Sequence, residues 1–425
     1  MKNNIFRENL IDGVNFISIN DDRFKTMRIS VNMMLPLKEE TVSGNAILPF
    51  MLKNSCKKYP SFSKMNKRLA ELYGAQVYPA VRKMGDVQVL SLCAVCIDDR
   101  YVFNSDCVSE KIIELLCDII FNPDIVCNNF KEEVFDQEKR QLIETIEAEF
   151  NDKRSYARMR CEEIMCKNEP FGINCYGTTK QVEKLELEDV YEAWERVLKT
   201  ARFEIIMVGN SISNKVCDSL RDAFSKVDRE NIVNCKTSVI KSVKHVTEKT
   251  EILDVQQAKL VMGFRTGVSE LDEDYLATRL MVSILGGTPH SKLFVNVREK
   301  LSLCYYCSAS YDKNKGIMFV QSGVEQQNIE KAKNEILAQL DSIKTGDFTL
   351  EDIEATKLSL SNSFKSLSDS LSSIESWYLS QTFCDKLMSP EECVEEIYNI
   401  NKEQIISAAN KITLDTVYIL KNKEN

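Results

Sequence analysis

The chain has 425 residues, too many for one ordinary core, so two or more domains are expected. Its 44% apolar and 28% charged residues are those of a soluble globular protein. The net charge of −9, without a basic patch interleaved with aromatics, argues against a nucleic-acid binder. The stretch MKNNIFRENLIDGVNF has no apolar core of a signal peptide, and no apolar run reaches the length of a membrane span. The expected compartment is therefore cytoplasmic, with no membrane partner.

In chain order, residues 6–19 read as a strand with its lead-in, and 27–37 (MRISVNMMLPL) as a second strand rich in β-formers. Helices are predicted at 43–55 and 63–72. A strand pair follows at 75–83 and 86–96, turning at Gly85-Asp86. Residues 99–121 contain a strong amphipathic helix that Asn122-Pro123 stops. Residues 130–166 are long, charged and helical, with a break near Asn151-Asp152-Lys153. A helix at 187–198, a strand at 201–208 and a helix at 213–227 complete this half.

Residues 228–250 are poor in apolar side chains and read as a linker. The same programme then restarts: a strand at 259–264, a helix at 271–285 and a strand pair at 304–311 and 316–323. Helices follow at 329–344, 349–367, 374–384, 391–397 and 403–411, and a strand at 415–420. The halves also match locally. Arg68 to Gly74 parallels Arg298 to Tyr305, each ahead of a hairpin, and 188–208 parallels 403–421. This is an internal duplication. The fold class is α+β, with a first domain at 1–227, a linker at 228–250 and a second domain at 251–425.

The 15 cysteines are an odd number and sit mostly in apolar contexts, as free core thiols do in a reducing compartment. Two C-x-x-C pairs occur, Cys93/Cys96 and Cys304/Cys307. Both fall in predicted strands, where residues three apart point to opposite faces, so neither is expected to bind metal.

The most informative stretch runs from Gly286 to Tyr311. Gly286-Gly287 allows a tight turn, Thr288 can cap a helix, and Pro289 suits its first turn. Leu293, Phe294, Val297 and Leu301 recur at helical spacing, and a strand is predicted from Cys304. The pattern Ser291, Leu293, Phe294, Arg298, Glu299, Leu303, Tyr305 resembles the substrate-binding half of insulinase-like, pitrilysin-type zinc metallopeptidases. The resemblance implies two similar α+β domains arranged as a clam-shell, each a mostly antiparallel sheet with helices. It also implies that Arg298 and Tyr305 hold substrate backbone near the zinc, with Gly286 and Gly287 shaping the turn beside the peptide. Read without it, Arg298 offsets a helix dipole, Tyr305 fills core, and the glycines form an ordinary turn before a helix.

That family binds zinc through H-x-x-E-H, two imidazoles four apart on one helix face with a Glu base between them, and a second Glu downstream. The chain has two histidines, His245 and His290, neither with a partner at helical spacing. The family reads G-x-A-H-x-x-E-H where this chain reads GNAILPFM, residues 44–51. Ile47, Phe50 and Met51 thus stand at the positions of His, Glu and His. Ile and Phe neither ligate zinc nor move a proton, and Met ligates it poorly. Glu144 or Thr145 is nearest to the downstream Glu. No metal site and no cofactor are expected in this chain.

A kept Arg/Tyr pair without zinc resembles the noncatalytic subunit of bacterial two-chain members, as do LAELYGAQV at 69–77, FDQEKR at 135–140 and the block at 151–172. The resemblance implies a peptidase-like subunit with no catalytic residue of its own. It would bind peptide and complete the chamber of a zinc-bearing homologous partner. The rival reading is a scaffold or peptide-binding protein without any part in proteolysis. Some proteins of the subgroup are linked to modification of translation elongation factor P. A homodimer is the alternative assembly. A peptidase acting alone through other ligands is disfavoured by the two unpaired histidines.

Overall fold

The computed structural model describes residues 4–103, 106–127, 129–210 and 214–423. The described residues form eleven strands: β1 Asn4–Ile11, β2 Val14–Asn20, β3 Thr26–Pro36, β4 Gln76–Met84, β5 Val87–Ile97, β6 Arg202–Gly209, β7 Thr247–Ile252, β8 Ala258–Arg265, β9 Cys304–Asp312, β10 Ile317–Val324 and β11 Thr413–Lys421. They form a six-stranded sheet ordered β1-β2-β6-β3-β5-β4 and a five-stranded sheet ordered β7-β11-β8-β10-β9. Within each, one parallel pair (β2 with β6, β7 with β11) lies beside antiparallel neighbours. Apart from β1, the two orders correspond strand for strand, so the duplication is topological as well as sequential.

Two compact units follow, and neither is continuous in sequence. One takes residues 1–147, 173–236 and 369–382; the other takes 148–172, 237–368 and 383–425. Each sheet therefore carries one helix from the opposite half of the chain. Helix Leu371–Ser380 packs on β3 and β6, and helix Lys153–Met165 packs on their counterparts β8 and β11.

This exchange explains the composition of β3. Alternation turns Ile29, Val31 and Met33 toward the main core of the first unit. Arg28, Ser30 and Asn32 point the other way yet are also buried. Glu375, on the exchanged helix, accepts from Arg28 Nε at 3.2 Å and Nη2 at 3.1 Å, and from the Ser30 hydroxyl at 2.9 Å. In the second unit the exchanged helix supplies Ala157, Cys161 and Met165 to a core with Val261, Phe319 and Tyr418. A Cβ on Gly263 of β8 would lie 2.6 Å from Met165 Sδ, so glycine lets this helix approach the sheet.

The next segment anchors the same unit. Glu169 takes a two-point contact from Arg265, 2.6 Å and 3.1 Å, and an ion pair from Lys315 at 2.9 Å. Arg265 Nε also donates to Asp415 at 2.7 Å. Burial pushes the Glu169 carboxyl up, but the bonds from Arg265 and Lys315 outweigh it and hold it below the usual glutamate range.

Several elements differ from the sequence reading. Residues 6–19 are two strands, β1 and β2, because Gly13 takes a left-handed φ of 69° at their turn. The end of the 228–250 stretch forms β7, an edge strand whose largely exposed side chains gave no apolar signal. The helix predicted at 271–285 is regular only over Tyr275–Val282, after which the backbone widens over Ser283–Gly287.

Candidate functional site

Helix Val42–Leu52 carries Ile47, Phe50 and Met51, and it is packed as core. Ile47 is fully buried and Met51 nearly so; Phe50 packs against the same cluster, with the Lys53 ammonium 5.5 Å from its ring centre. The described residues bring together no group of three or more His, Cys, Asp or Glu able to hold a metal ion. His245 and His290 are both exposed.

Glu144 and Thr145 lie on the exposed face of helix Glu132–Asn151. The acid this helix turns inward is Glu138, between Phe135 and Leu142 on the buried stripe. Its Oε1 accepts from Asn54 at 2.9 Å and lies 3.8 Å from the Lys53 ammonium, while Oε2 is buried without a partner. The 3.6-residue period through Phe135 and Leu142 marks Glu138 in the sequence.

The second candidate region begins at Gly286. A Cβ there would sit 2.6 Å from the Ala309 amide nitrogen on β9 and 2.7 Å from Leu293 Cδ1, so glycine lets this turn lie against the strand. At Gly287 the nearest atom, Ser283 Cβ, is 3.3 Å away. Thr288 does not cap a helix, since its hydroxyl is buried and unpartnered, as is that of Ser291. The helix starts instead at Leu293 and runs to Lys300. It is wide, with the Leu301 amide donating to the Asn296 carbonyl five residues back. Leu293 and Val297 are buried, whereas Leu301, beyond the last turn, is exposed.

Ser302 then adopts a left-handed φ of 50°, and the Leu303 amide folds back to the Val297 carbonyl at 3.1 Å. This closure brings β9 against the helix end that carries Arg298. The Arg298 guanidinium stacks 4.6 Å from the Phe294 ring centre, and its ion pair is with its exposed neighbour Glu299 at 3.5 Å.

Strand β9 opens with a bulge. Tyr306 pairs with Gly323 and Cys304 with Val324, so Tyr305 has no opposite residue. Its side chain is 67% exposed, and among the described residues its hydroxyl makes no hydrogen bond. The bulge also corrects the expectation for one cysteine pair: Cys304 and Cys307 fall on the same face and their side chains meet. Cys93 and Cys96, in the unbulged β5, keep opposite faces. The four glycine, arginine and tyrosine positions thus lie along one continuous turn, helix and strand. The guanidinium of Arg298 and the phenol of Tyr305 can donate hydrogen bonds to carbonyl oxygens but cannot activate water.

Residues 184–360 match the family described as Peptidase M16 inactive domain. The chain is 31% identical to the probable inactive metalloprotease YmfF of Bacillus subtilis over 406 residues, 96% of this chain and 95% of that one. A conserved protein from Enterococcus faecalis shares its fold with a TM-score of 0.90 at 27% identity, covering 99% of this chain and 100% of the other. A peptidase M16 inactive domain from Pseudomonas fluorescens aligns with a TM-score of 0.80 at 14% identity, covering 99% and 98%. No helix among the described residues is long and apolar enough to cross a membrane. The chain belongs to the M16 peptidase family as an inactive metalloprotease homologue.

Proposed function

We propose that the chain is a noncatalytic subunit that binds peptide through Arg298 and Tyr305 and completes the active chamber of a zinc-bearing homologue. The observation that carries this reading is the presentation of Tyr305. A bulge leaves its ring 67% exposed, with no hydrogen-bond partner among the described residues. A tyrosine that only filled core would be buried, as Tyr418 is. Arg298, joined to it through the Ser302 turn, stacks on the Phe294 ring and pairs with its exposed neighbour Glu299. A guanidinium and a phenol are donors suited to peptide carbonyls and to a developing oxyanion, and neither needs a metal of its own.

The reading makes activity depend on assembly with a subunit that supplies zinc; this chain needs no cofactor. Gly286 and Gly287 support the turn beside the bound peptide. The subunit works in the cytoplasm.

The test is peptidase activity on a mixed fluorogenic peptide set. The chain, its zinc-bearing paralogue and their mixture are assayed, alongside Arg298→Ala and Tyr305→Phe. Activity confined to the mixture and reduced about tenfold or more by either substitution is expected, the loss of a hydrogen bond to a charged or reacting group. Full activity of the paralogue alone, unchanged by this chain, would overturn the reading.

A further inference from the structure

The bulge in β9 has a chemical consequence beyond presenting Tyr305. In a regular strand, residues 304 and 307 would point to opposite faces. The extra residue resets the alternation, so Cys304 beside Val324 and Cys307 beside Ser322 occupy successive positions on one face. Arg298 is near enough for its charge to act on Cys304, and the Ser322 side chain reaches both thiols. The chain contains its own control. Cys93 and Cys96 have the same spacing in a strand without a bulge, and they lie on opposite faces.

We propose that Cys304 and Cys307 are a thiol–disulfide couple that reacts with low-molecular-weight disulfides, with Cys304 as the attacking sulfur. The Cys304 thiolate attacks one sulfur of RSSR. A mixed disulfide forms, the RS–SR bond breaks, and RS⁻ leaves and takes a proton from water. Cys307 then loses its proton to solvent and attacks the Cys304 sulfur, expelling the second RS⁻. Two protein thiols and one RSSR become one protein disulfide and two RSH.

The order of attack follows from the surroundings. The Cys307 thiol stabilises the Cys304 thiolate, and the Arg298 charge adds to this against the cost of burial, so Cys304 is held below the usual thiol range. Cys307 is held above it, chiefly by the adjacent Cys304 sulfur and then by burial. In the control pair, burial pushes Cys93 up to about 11 and Cys96 up to about 12. Cys304 and Cys307 are 8% and 4% exposed; β9 is an edge strand and Cys304 is its first residue, so a small disulfide has to reach the couple at the sheet margin. Tyr305 is the residue inside the bulge, so the bond would form across the segment that presents it.

The experiment treats the full chain with oxidised glutathione at neutral pH, quenches with an alkylating agent at set times, and maps each cysteine by mass spectrometry. The expected result is a Cys304–Cys307 disulfide formed about tenfold or more faster than any oxidation of Cys93 or Cys96. Cys307→Ser should stop at glutathione attached to Cys304, and Cys304→Ser should yield neither product. Equal rates at the two C-x-x-C pairs, or a stable glutathione adduct on Cys304 in the unsubstituted chain, would overturn the proposal. The unsubstituted chain alone decides between these outcomes, whatever the folding of the variants.

Discussion

Glu375 accepts two hydrogen bonds from Arg28 across 347 residues of sequence, and this pair joins an exchanged helix to the central strand of the first unit. The Glu375 side chain is fully buried and that of Arg28 is 7% exposed. Removing one buried partner strands the other charge. Glu375→Ala should therefore destabilise the protein by about 3–5 kcal/mol. Arg28→Met combined with Glu375→Leu should recover most of that loss, because neither charge is left alone. Urea unfolding of the two variants checks this. Equal losses in the single and double variants would show that packing, not charge, holds the helix.

Gly286 and Gly287 should separate in a stability assay. Gly286→Ala pushes a Cβ to 2.6 Å from the Ala309 amide nitrogen, and a backbone atom cannot move aside cheaply. A loss of about 1–3 kcal/mol is expected, as for other overpacked sites. At Gly287 the approach is 3.3 Å to a side-chain atom, so Gly287→Ala should cost clearly less. Thermal melts of the two variants test the difference, and an equal loss would count against the packing account.

Acid should act on the second unit through Glu169. Its folded pKa lies below the ordinary value, so the unfolded state binds protons more readily as pH falls. The stability this gives is fully present above the unfolded value of 4.5 and is lost as pH drops through the folded one. Glu169→Gln should lower stability at neutral pH by about 3–5 kcal/mol, with Arg265 and Lys315 left undercompensated. It should also flatten the acid limb of the pH–stability curve. An unchanged limb would assign acid sensitivity to other carboxyls.

Restoring the missing ligands should not restore a metal site. Ile47→His with Met51→His places two imidazoles in the packed core, at a cost of about 2–5 kcal/mol. The nearby buried acid, Glu138, is already engaged by Asn54. Differential scanning calorimetry should show a lower melting temperature that added zinc does not raise. A large zinc-dependent rise would mean that a third ligand is in reach.

Much of this fold is legible along the chain because it rests on local periodicity. β3, β5 and β6 carry apolar runs, the long helix breaks where Asp152 caps its successor, and the two halves repeat the same order of elements. Where the resemblance sets zinc ligands against Ile47, Phe50 and Met51, residue identity alone decides the chemistry, since no fold lets these side chains stand in for His and Glu. β7 escaped because an edge strand with exposed side chains has no apolar alternation, only the hydrogen bonds that β11 provides.

What the sequence determined by itself is therefore the duplicated order of elements and the lack of any H-x-x-E-H in the 425 residues. Tertiary structure decided which residues meet. A β-bulge exists only where two strands are in register, so the shared face of Cys304 and Cys307 and the exposure of Tyr305 follow from the pairing of β9 with β10. The exchanged helices belong to the same class. Helix Leu371–Ser380 shows an apolar pattern but not its destination, and the reason for Arg28 in a buried strand appears only once Glu375 lies beside it. Local pattern records what each segment can bury; contacts between distant segments decide against what.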